Sequence, residues 1–210
     1  MEQPPATAVL RRNIPLHILL ICWGVSGSLI FNVVYFSFGM LTPNYDELSQ
    51  PIGRLELAPH GWIQSLNFLI LGLFTGIFAI GLRRELAGGF GAAVLPAFHF
   101  VTAFGLVLMG VFIHEPAHTY VSFLTFFSIQ FSFLVFARLF WRDERWPGWT
   151  RFTNICAFLI TALMLIFWYA RGWEADYAGL FERLLEIIRL VWYVAFALKL
   201  LYSRQISAEV

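Results

Sequence analysis

The sequence predicts an all-α fold, a polytopic transmembrane bundle of six helices, and two observations support this class. First, 59% of the 210 residues are hydrophobic and only 13% are charged, with a mean hydropathy of +0.71. Soluble domains average about 25% charged residues, so this composition excludes an ordinary water-soluble globule. Second, six apolar runs are long enough to cross a bilayer, which takes roughly 20 helical residues. A net charge of +1 also argues against a nucleic-acid partner.

The six runs are expected to be helices, because lipid offers the backbone no hydrogen-bond partners and the runs lack the two-residue alternation of barrel strands. Turn residues or charges separate each run from the next. The runs cover residues 17–41, 61–82, 90–113, 118–141, 152–171 and 181–203. We predict a six-helix transmembrane domain over 17–203, between cytoplasmic tails at 1–16 and 204–210.

The basic residues predict the orientation of the bundle. Ten Lys and Arg residues fall at the end that holds both chain termini (the terminal end), and four fall at the opposite end. We call that opposite end the loop end, because the longest connection, 42–60, lies there. Cytoplasmic loops carry the excess of basic residues, so both termini are expected in the cytoplasm.

Small residues mark close helix contacts in the first two runs. Gly24 and Ser28 are four residues apart, as are Gly72 and Gly76. Such steps let two helix backbones approach closely in a membrane. Both pairs are therefore expected at contacts between helices.

Among the polar side chains inside the first three runs, we single out Asn32, Asn67 and His99. Polar groups at membrane depth usually form hydrogen bonds to a neighbouring helix. For His99, near the middle of its run, a neutral imidazole bonded to another helix is the leading interpretation. A cofactor ligand or a proton relay is the alternative. A b-type haem would need a second histidine at matching depth, which the sequence lacks, so no cofactor is predicted.

The segment His114-Glu115-Pro116-Ala117-His118 matches the H-E-x-x-H pattern of zinc hydrolases. On a helix, this spacing directs two imidazoles to one metal, with the glutamate as general base. Here a proline interrupts the motif, and the segment is a tight turn between two runs. An ordinary interfacial turn is therefore the expectation. Glu115 and His118 stay as weak catalytic candidates, and His114 and His118 as weak metal-ligand candidates.

The last run opens with the densest set of polar residues, Glu182, Glu186, Arg189 and Tyr193. Their i, i+4, i+7, i+11 spacing places all four on one helix face. Two interpretations stay open. In one, an ion-pair stripe locks this helix to its neighbours. In the other, a polar pocket open to the loop end binds an anionic or polar headgroup, with Arg189 as its anchor.

A weak internal repeat lies near the end of each of the three even-numbered runs. Phe78, Phe136 and Phe196 each precede an alanine and are spaced by 58 and 60 residues. The repeat suggests three tandem hairpins and leaves their common ancestry open.

Several segments together carry a resemblance to a known family. They are Gly24 to Gly27, Tyr45 to Gly61, Gly81 to Arg84, Glu115-Pro116, and Gly179 to Arg183 leading into Trp192. Over most of its length the chain resembles the prokaryotic six-helix membrane proteins catalogued as domain of unknown function 998. That family usually has aspartate before the proline, so Glu115 is a departure. The resemblance implies a prokaryotic plasma-membrane protein and implies no activity.

Three functions remain open from the sequence. The preferred one is a non-enzymatic accessory or lipid-headgroup-binding module that uses the polar face of the last run. The second is a membrane-embedded metal-dependent hydrolase or lipid-modifying enzyme around Glu115, His118 and Glu186. The third is a small proton-coupled transporter with Glu186 or His99 as carrier. Expected partners are membrane lipids and another membrane protein or a second copy of the chain.

Overall fold

The computed structural model describes residues 14–86, 90–141, 146, 148–172 and 176–206. Within these residues the chain forms six long α-helices and one short 3₁₀ helix, and the described part contains no β-strand. The helices are α1 (Leu16–Leu41), α2 (Trp62–Glu85), α3 (Phe90–Val111), α4 (Ala117–Phe140), α5 (Trp149–Gly172) and α6 (Ala178–Ile206). The 3₁₀ helix, Ile52–Leu57, lies in the connection between α1 and α2.

The observed helices match the predicted runs to within a few residues. The main differences are that α5 begins at Trp149 and that α6 covers Ala178–Ile206. The predicted boundary at residue 203 therefore falls inside a helix. Apolar composition marks the part of a helix that suits hydrocarbon, whereas a helix continues past it as long as its own backbone hydrogen bonds are made.

Five helical segments are long and apolar enough to cross a membrane, and the chain is a multi-pass integral membrane protein. They are Leu16–Leu41, Trp62–Glu85, Ala93–Val111, Ala117–Leu139 and Trp149–Ala170. The α6 helix is not among the segments found in the described residues. Its first half contains Glu182, Arg183, Glu186 and Arg189, so a sixth span stays a prediction.

The helices pack in chain order, and α6 closes the bundle by packing against α1 as well as α5. The α2 helix packs against α3 as extensively as against α1. The three predicted hairpins are therefore not separate packing units.

Two clusters of buried apolar side chains hold the bundle together. The larger one is centred on aromatic rings of α4 and α6, including Phe136, Trp192 and Phe196. The smaller one lies at the loop end and includes Ile52 and Leu55 of the 3₁₀ helix. Because these two side chains are fully buried, the connection between α1 and α2 is part of the core and covers the loop end of the bundle.

Candidate functional site

Arg183 ties the α1–α2 connection to the start of α6. Its guanidinium donates hydrogen bonds to the carbonyl oxygens of Gln50 (3.1 Å) and Gly179 (3.0 Å) and to the hydroxyl of Tyr45 (2.8 Å). The guanidinium carbon also lies 5.7 Å from the ring centroids of both Tyr35 and Tyr45, within the range of a cation–π contact. A buried arginine thus holds the connection in place through its polar and its aromatic neighbours.

Glu182 makes a second tie between the same two segments. Its Oε2 accepts a hydrogen bond from the backbone N–H of Ile52 at 2.7 Å. The backbone N–H of Leu180 donates to the carbonyl of Leu48 at 2.9 Å. The first turn of a helix has N–H groups without intrahelical partners, and here the connection supplies acceptors for them. The predicted site residue Glu182 is therefore buried where α6 meets the connection.

His118 lies close to a carboxylate that the sequence did not single out. Its Nδ1 lies 3.0 Å from the carbonyl oxygen of Phe112 and 3.4 Å from Glu56 Oε2. A carbonyl only accepts, so Nδ1 carries the hydrogen. The other carboxylate oxygen of Glu56 accepts a hydrogen bond from Ser65 at 3.0 Å. Burial raises the pKa of Glu56 to about 7, and the Ser65 hydrogen bond opposes this shift.

A cavity of about 780 Å³ opens between these groups at the loop end. This is within the range of small-molecule sites, about 300–1,000 Å³. Its inner wall is apolar and includes Met109, Phe126 and Phe167, whereas most polar groups lie nearer the loop end. The polar lining residues are Ser49, Gln50, Arg54, His114, Glu115, His118, Ser122, Asp176 and Glu182.

The charges along this cavity are mainly negative. Three carboxylates line it, from Glu115, Asp176 and Glu182, against one guanidinium, from Arg54, among the described lining residues. Arg189, predicted as an anchor for an anionic headgroup, does not line this cavity. The arrangement suits a group that carries both signs of charge, because Arg54 offers a partner for an anion and the carboxylates offer partners for a cation.

A second, much smaller pocket of about 20 Å³ lies deeper in the bundle. Glu182 borders both pockets, and Glu186 and Arg189 border the inner one. Glu186 and Arg189 form a direct ion pair and are each 5% exposed. The Nε of Arg189 has no hydrogen-bond partner.

His99 and Tyr193 meet at the centre of the bundle. The Nδ1–H of His99 donates to the carbonyl of Leu95 (2.9 Å), so its Nε2 is free to accept the Tyr193 hydroxyl at 3.1 Å. Aromatic rings of Phe78 and Phe136 surround the imidazole at centroid distances of 5.1 and 5.9 Å. Both ring nitrogens are thus engaged within the protein, as the interhelical hydrogen-bond interpretation predicts.

The two predicted intramembrane asparagines also bond inside the bundle. Asn67 on α2 donates to the carbonyl of Phe31 on α1 at 3.1 Å. Asn32 donates to the carbonyl of Ser28 at 2.8 Å and accepts the hydroxyl of Tyr35 at 2.9 Å. These contacts hold α1 against α2 and stiffen α1, and neither asparagine lines the large cavity.

The H-E-x-x-H residues do not share one helix face. His114 and Glu115 are exposed and precede α4, whereas His118 is buried in its first turn. Among the described residues, no three His, Cys, Asp or Glu side chains come together in a way that could hold a metal ion. The motif therefore contributes to the wall of the cavity and to the Glu56–His118 contact.

Sequence reasoning missed Glu56, Arg54 and Arg183 as site residues. Each is a single charged residue near an apolar run, and no fixed spacing connects it with its partners. The tie from Arg183 to Tyr45 spans 138 positions, so only the folded chain brings the two together. The sequence did contain a partial indication for Arg183. It is a charged residue at the start of an apolar run, and such a residue needs polar partners if it is buried.

The helices and the lined cavity define a multi-pass α-helical membrane protein with a polar site at one end. A family described as "Protein of unknown function (DUF998)" matches residues 25–199, and the chain belongs to this family. No curated protein and no solved structure matches the chain.

Proposed function

We propose that this protein is a non-enzymatic membrane module that binds a polar lipid headgroup in the cavity at the loop end. The single observation that carries this proposal is the 780 Å³ cavity with an apolar inner wall and a charged rim. A headgroup and the first part of its acyl chains have the same two-part chemistry. Pockets of this kind fix a ligand through a few polar groups while apolar walls supply most of the contact.

The charges favour a zwitterionic headgroup such as phosphoethanolamine over a purely anionic one. Arg54 can bind the phosphate, since a guanidinium matches phosphate oxygens in a two-pronged geometry. The ammonium would then lie among Glu115, Asp176 and Glu182. An anionic headgroup would instead add negative charge beside those three carboxylates.

Loss of bound lipid on filling the cavity is the direct test. The chain is extracted in a mild detergent, supplied with phosphatidylethanolamine and examined by native mass spectrometry. Ser122→Phe places a ring in the cavity, whereas Leu124→Phe adds a similar ring to the exposed face of the same helix. We expect the native chain and the Leu124→Phe control to retain the lipid and Ser122→Phe to lose it. No retained lipid in the native chain, or equal retention in both variants, would refute the proposal.

We propose further that all six helices cross the membrane, with both termini in the cytoplasm of a prokaryotic cell. The excess of basic residues at the terminal end supports this orientation. A fluorescent protein that folds only in the cytoplasm, fused after residue 210, is expected to fluoresce. An active periplasmic phosphatase at the same position would show the opposite orientation or an odd number of spans.

An accessory role also requires a protein partner. We propose that this partner is another membrane protein or a second copy of the chain. Many large apolar side chains are exposed on the bundle, including Trp23, Phe104 and Phe158. These side chains can contact either lipid or a helix of another protein. Cross-linking of the protein in native membranes distinguishes a partner from lipid alone.

A further inference from the structure

We propose a second lipid site at the terminal end, a groove between α2 and α3 that binds an anionic phospholipid. The groove is open, has a volume of about 530 Å³ and is lined by Ile80, Arg83, Arg84 and Phe100. It lies at the opposite end of the bundle from the zwitterionic-headgroup cavity and does not depend on that proposal.

The described residues that line the groove carry positive charge and include no carboxylate. Arg83 and Arg84 are both exposed, and neither forms an ion pair with a carboxylate among the described residues. The adjacent carboxylate, Glu85, lies 3.1 Å from His17 on α1 instead. Two neighbouring guanidinium groups are therefore exposed, and no carboxylate of the described residues forms an ion pair with them. Each guanidinium can bind phosphate oxygens in a two-pronged geometry.

The groove also has an apolar wall at the depth of an acyl chain. Ile80 lies about one helical turn below Arg83, and Phe100 lies ten residues into α3, or roughly 15 Å along the helix axis. Their side chains are 40% and 42% exposed, so both have surface available for contact. Basic pockets between transmembrane helices bind the headgroups of anionic lipids. A phospholipid aligned along the bundle would place its phosphate at the arginines and one acyl chain on Ile80 and Phe100.

The pair of arginines selects an anionic lipid over a zwitterionic one. A zwitterionic headgroup brings an ammonium or a choline group into a groove whose described lining contains no carboxylate. Glu85, the next residue in the chain, lies 3.1 Å from His17. A net negative headgroup such as phosphatidylglycerol brings no such cation.

The test measures lipid retention by native mass spectrometry after supplying equal amounts of phosphatidylglycerol and phosphatidylcholine with identical acyl chains. We expect the native chain to retain phosphatidylglycerol preferentially. Each basic residue near a membrane anion is worth about fivefold in affinity, so Arg83→Gln with Arg84→Gln is expected to lower that retention about 25-fold. The control is Arg138→Gln with Arg151→Gln, two exposed arginines of α4 and α5 at the same end, which is expected to leave retention unchanged.

Two further variants keep the test decisive. Arg83→Lys with Arg84→Lys preserves charge and is expected to keep most of the preference. If the glutamine variant does not fold, Phe100→Ala is expected to lower phosphatidylglycerol retention severalfold through the acyl wall. Inorganic phosphate in excess is not expected to displace the lipid, because the lipid also binds through its chain.

Equal retention of the two lipids by the native chain would overturn the proposal. So would undiminished phosphatidylglycerol retention in the glutamine or Phe100→Ala variants, or an equal loss in the Arg138/Arg151 control. Ser122→Phe, which fills the loop-end cavity, is expected to leave phosphatidylglycerol retention unaltered. The two lipid proposals can therefore fail separately.

Discussion

The carboxylate of Glu182 accepts a hydrogen bond of 2.7 Å from the backbone N–H of Ile52, a residue 130 positions earlier in the chain. This contact joins the first turns of α6 to the 3₁₀ helix that covers the loop end. It lies at the boundary between the large cavity and the smaller pocket beneath it. The same side chain thus closes the bundle and borders the proposed binding site.

Replacing Glu182 with alanine is expected to loosen the connection between α1 and α2. The variant leaves the buried N–H of Ile52 without its acceptor, a loss of about 2 kcal/mol for a hydrogen bond to a charged group. Arg54 lies in the same connection and is exposed, so trypsin cleavage after Arg54 reports local opening. We expect cleavage at least severalfold faster than in the native chain.

The matched control for that measurement is Asp176→Ala, which removes an exposed carboxylate just before α6. Its cleavage rate should equal that of the native chain. A Glu182→Ala protein cleaved no faster than this control would show that the hydrogen bond to Ile52 does not hold the connection.

Glu56 is expected to make stability fall as pH rises from about 4.5 to about 7. Its folded pKa, about 7, lies above the ordinary value of 4.5 because the carboxylate is buried. The folded state therefore holds the proton more tightly than the unfolded state, and stability is lost as the proton leaves. The full shift corresponds to about 3 kcal/mol, most of it expressed across this interval.

Glu56→Gln isolates this effect, since glutamine keeps an acceptor for Ser65 and does not titrate. Thermal denaturation of both proteins in detergent from pH 4.5 to 8 is the measurement. We expect the native chain to lose stability relative to Glu56→Gln as the pH rises, with the change ending just above pH 7. A difference between the two proteins that stays constant over this range would contradict the assigned pKa.

The hydrogen bond between Tyr193 and His99 is expected to stabilise the centre of the bundle modestly. Tyr193→Phe leaves the buried Nε2 of His99 without a donor, at a cost of about 1 kcal/mol. The measurement is the shift in the unfolding midpoint in a denaturing detergent. Tyr202→Phe, an exposed site on the same helix, is the control and should leave the midpoint unchanged. Equal midpoints for both variants would show that the central hydrogen bond adds nothing.

Gly24 and Gly76 are expected to respond in opposite ways to alanine. A Cβ at Gly24 would lie 2.4 Å from the Cβ and 2.7 Å from the Cα of Phe78, so α1 and α2 would have to separate. Overpacking of this kind costs about 1–3 kcal/mol. A Cβ at Gly76 would meet only the Cβ of Ala103, at 3.9 Å, so this variant should unfold at or above the native midpoint. Similar losses at both positions would contradict the packing described for α1 and α2.

The two glycines of α2 show what a local spacing pattern can and cannot predict about helix contacts. The spacing of Gly72 and Gly76 predicted a close helix contact at both positions. A Cβ at Gly72 would lie 2.8 Å from the carbonyl oxygen of Ala103, so this position fits the prediction, whereas Gly76 has room. A four-residue spacing identifies one helix face, but the crossing point of the partner helix decides which residue of that face is in contact.

The polar face of α6 was predicted in part. The spacing of Glu182, Glu186 and Arg189 placed them together, and all three are buried and border one small pocket. Arg189, predicted as an anchor for an external anion, pairs with Glu186 and borders the smaller pocket, and this role stays a prediction. Helix periodicity gives the face of a residue, whereas depth relative to a covering loop depends on how that loop folds.

The sequence by itself determined the class of the protein and most of the helix boundaries in the described residues. These follow from two local properties of the sequence. One is the apolar composition of each run, and the other is a run length that matches the thickness of a membrane. Only the tertiary structure decided how the α1–α2 connection covers the loop end, which carboxylate meets His118 and where the cavities lie. Those features join residues tens to more than a hundred positions apart, and the packing of all six helices sets their distances.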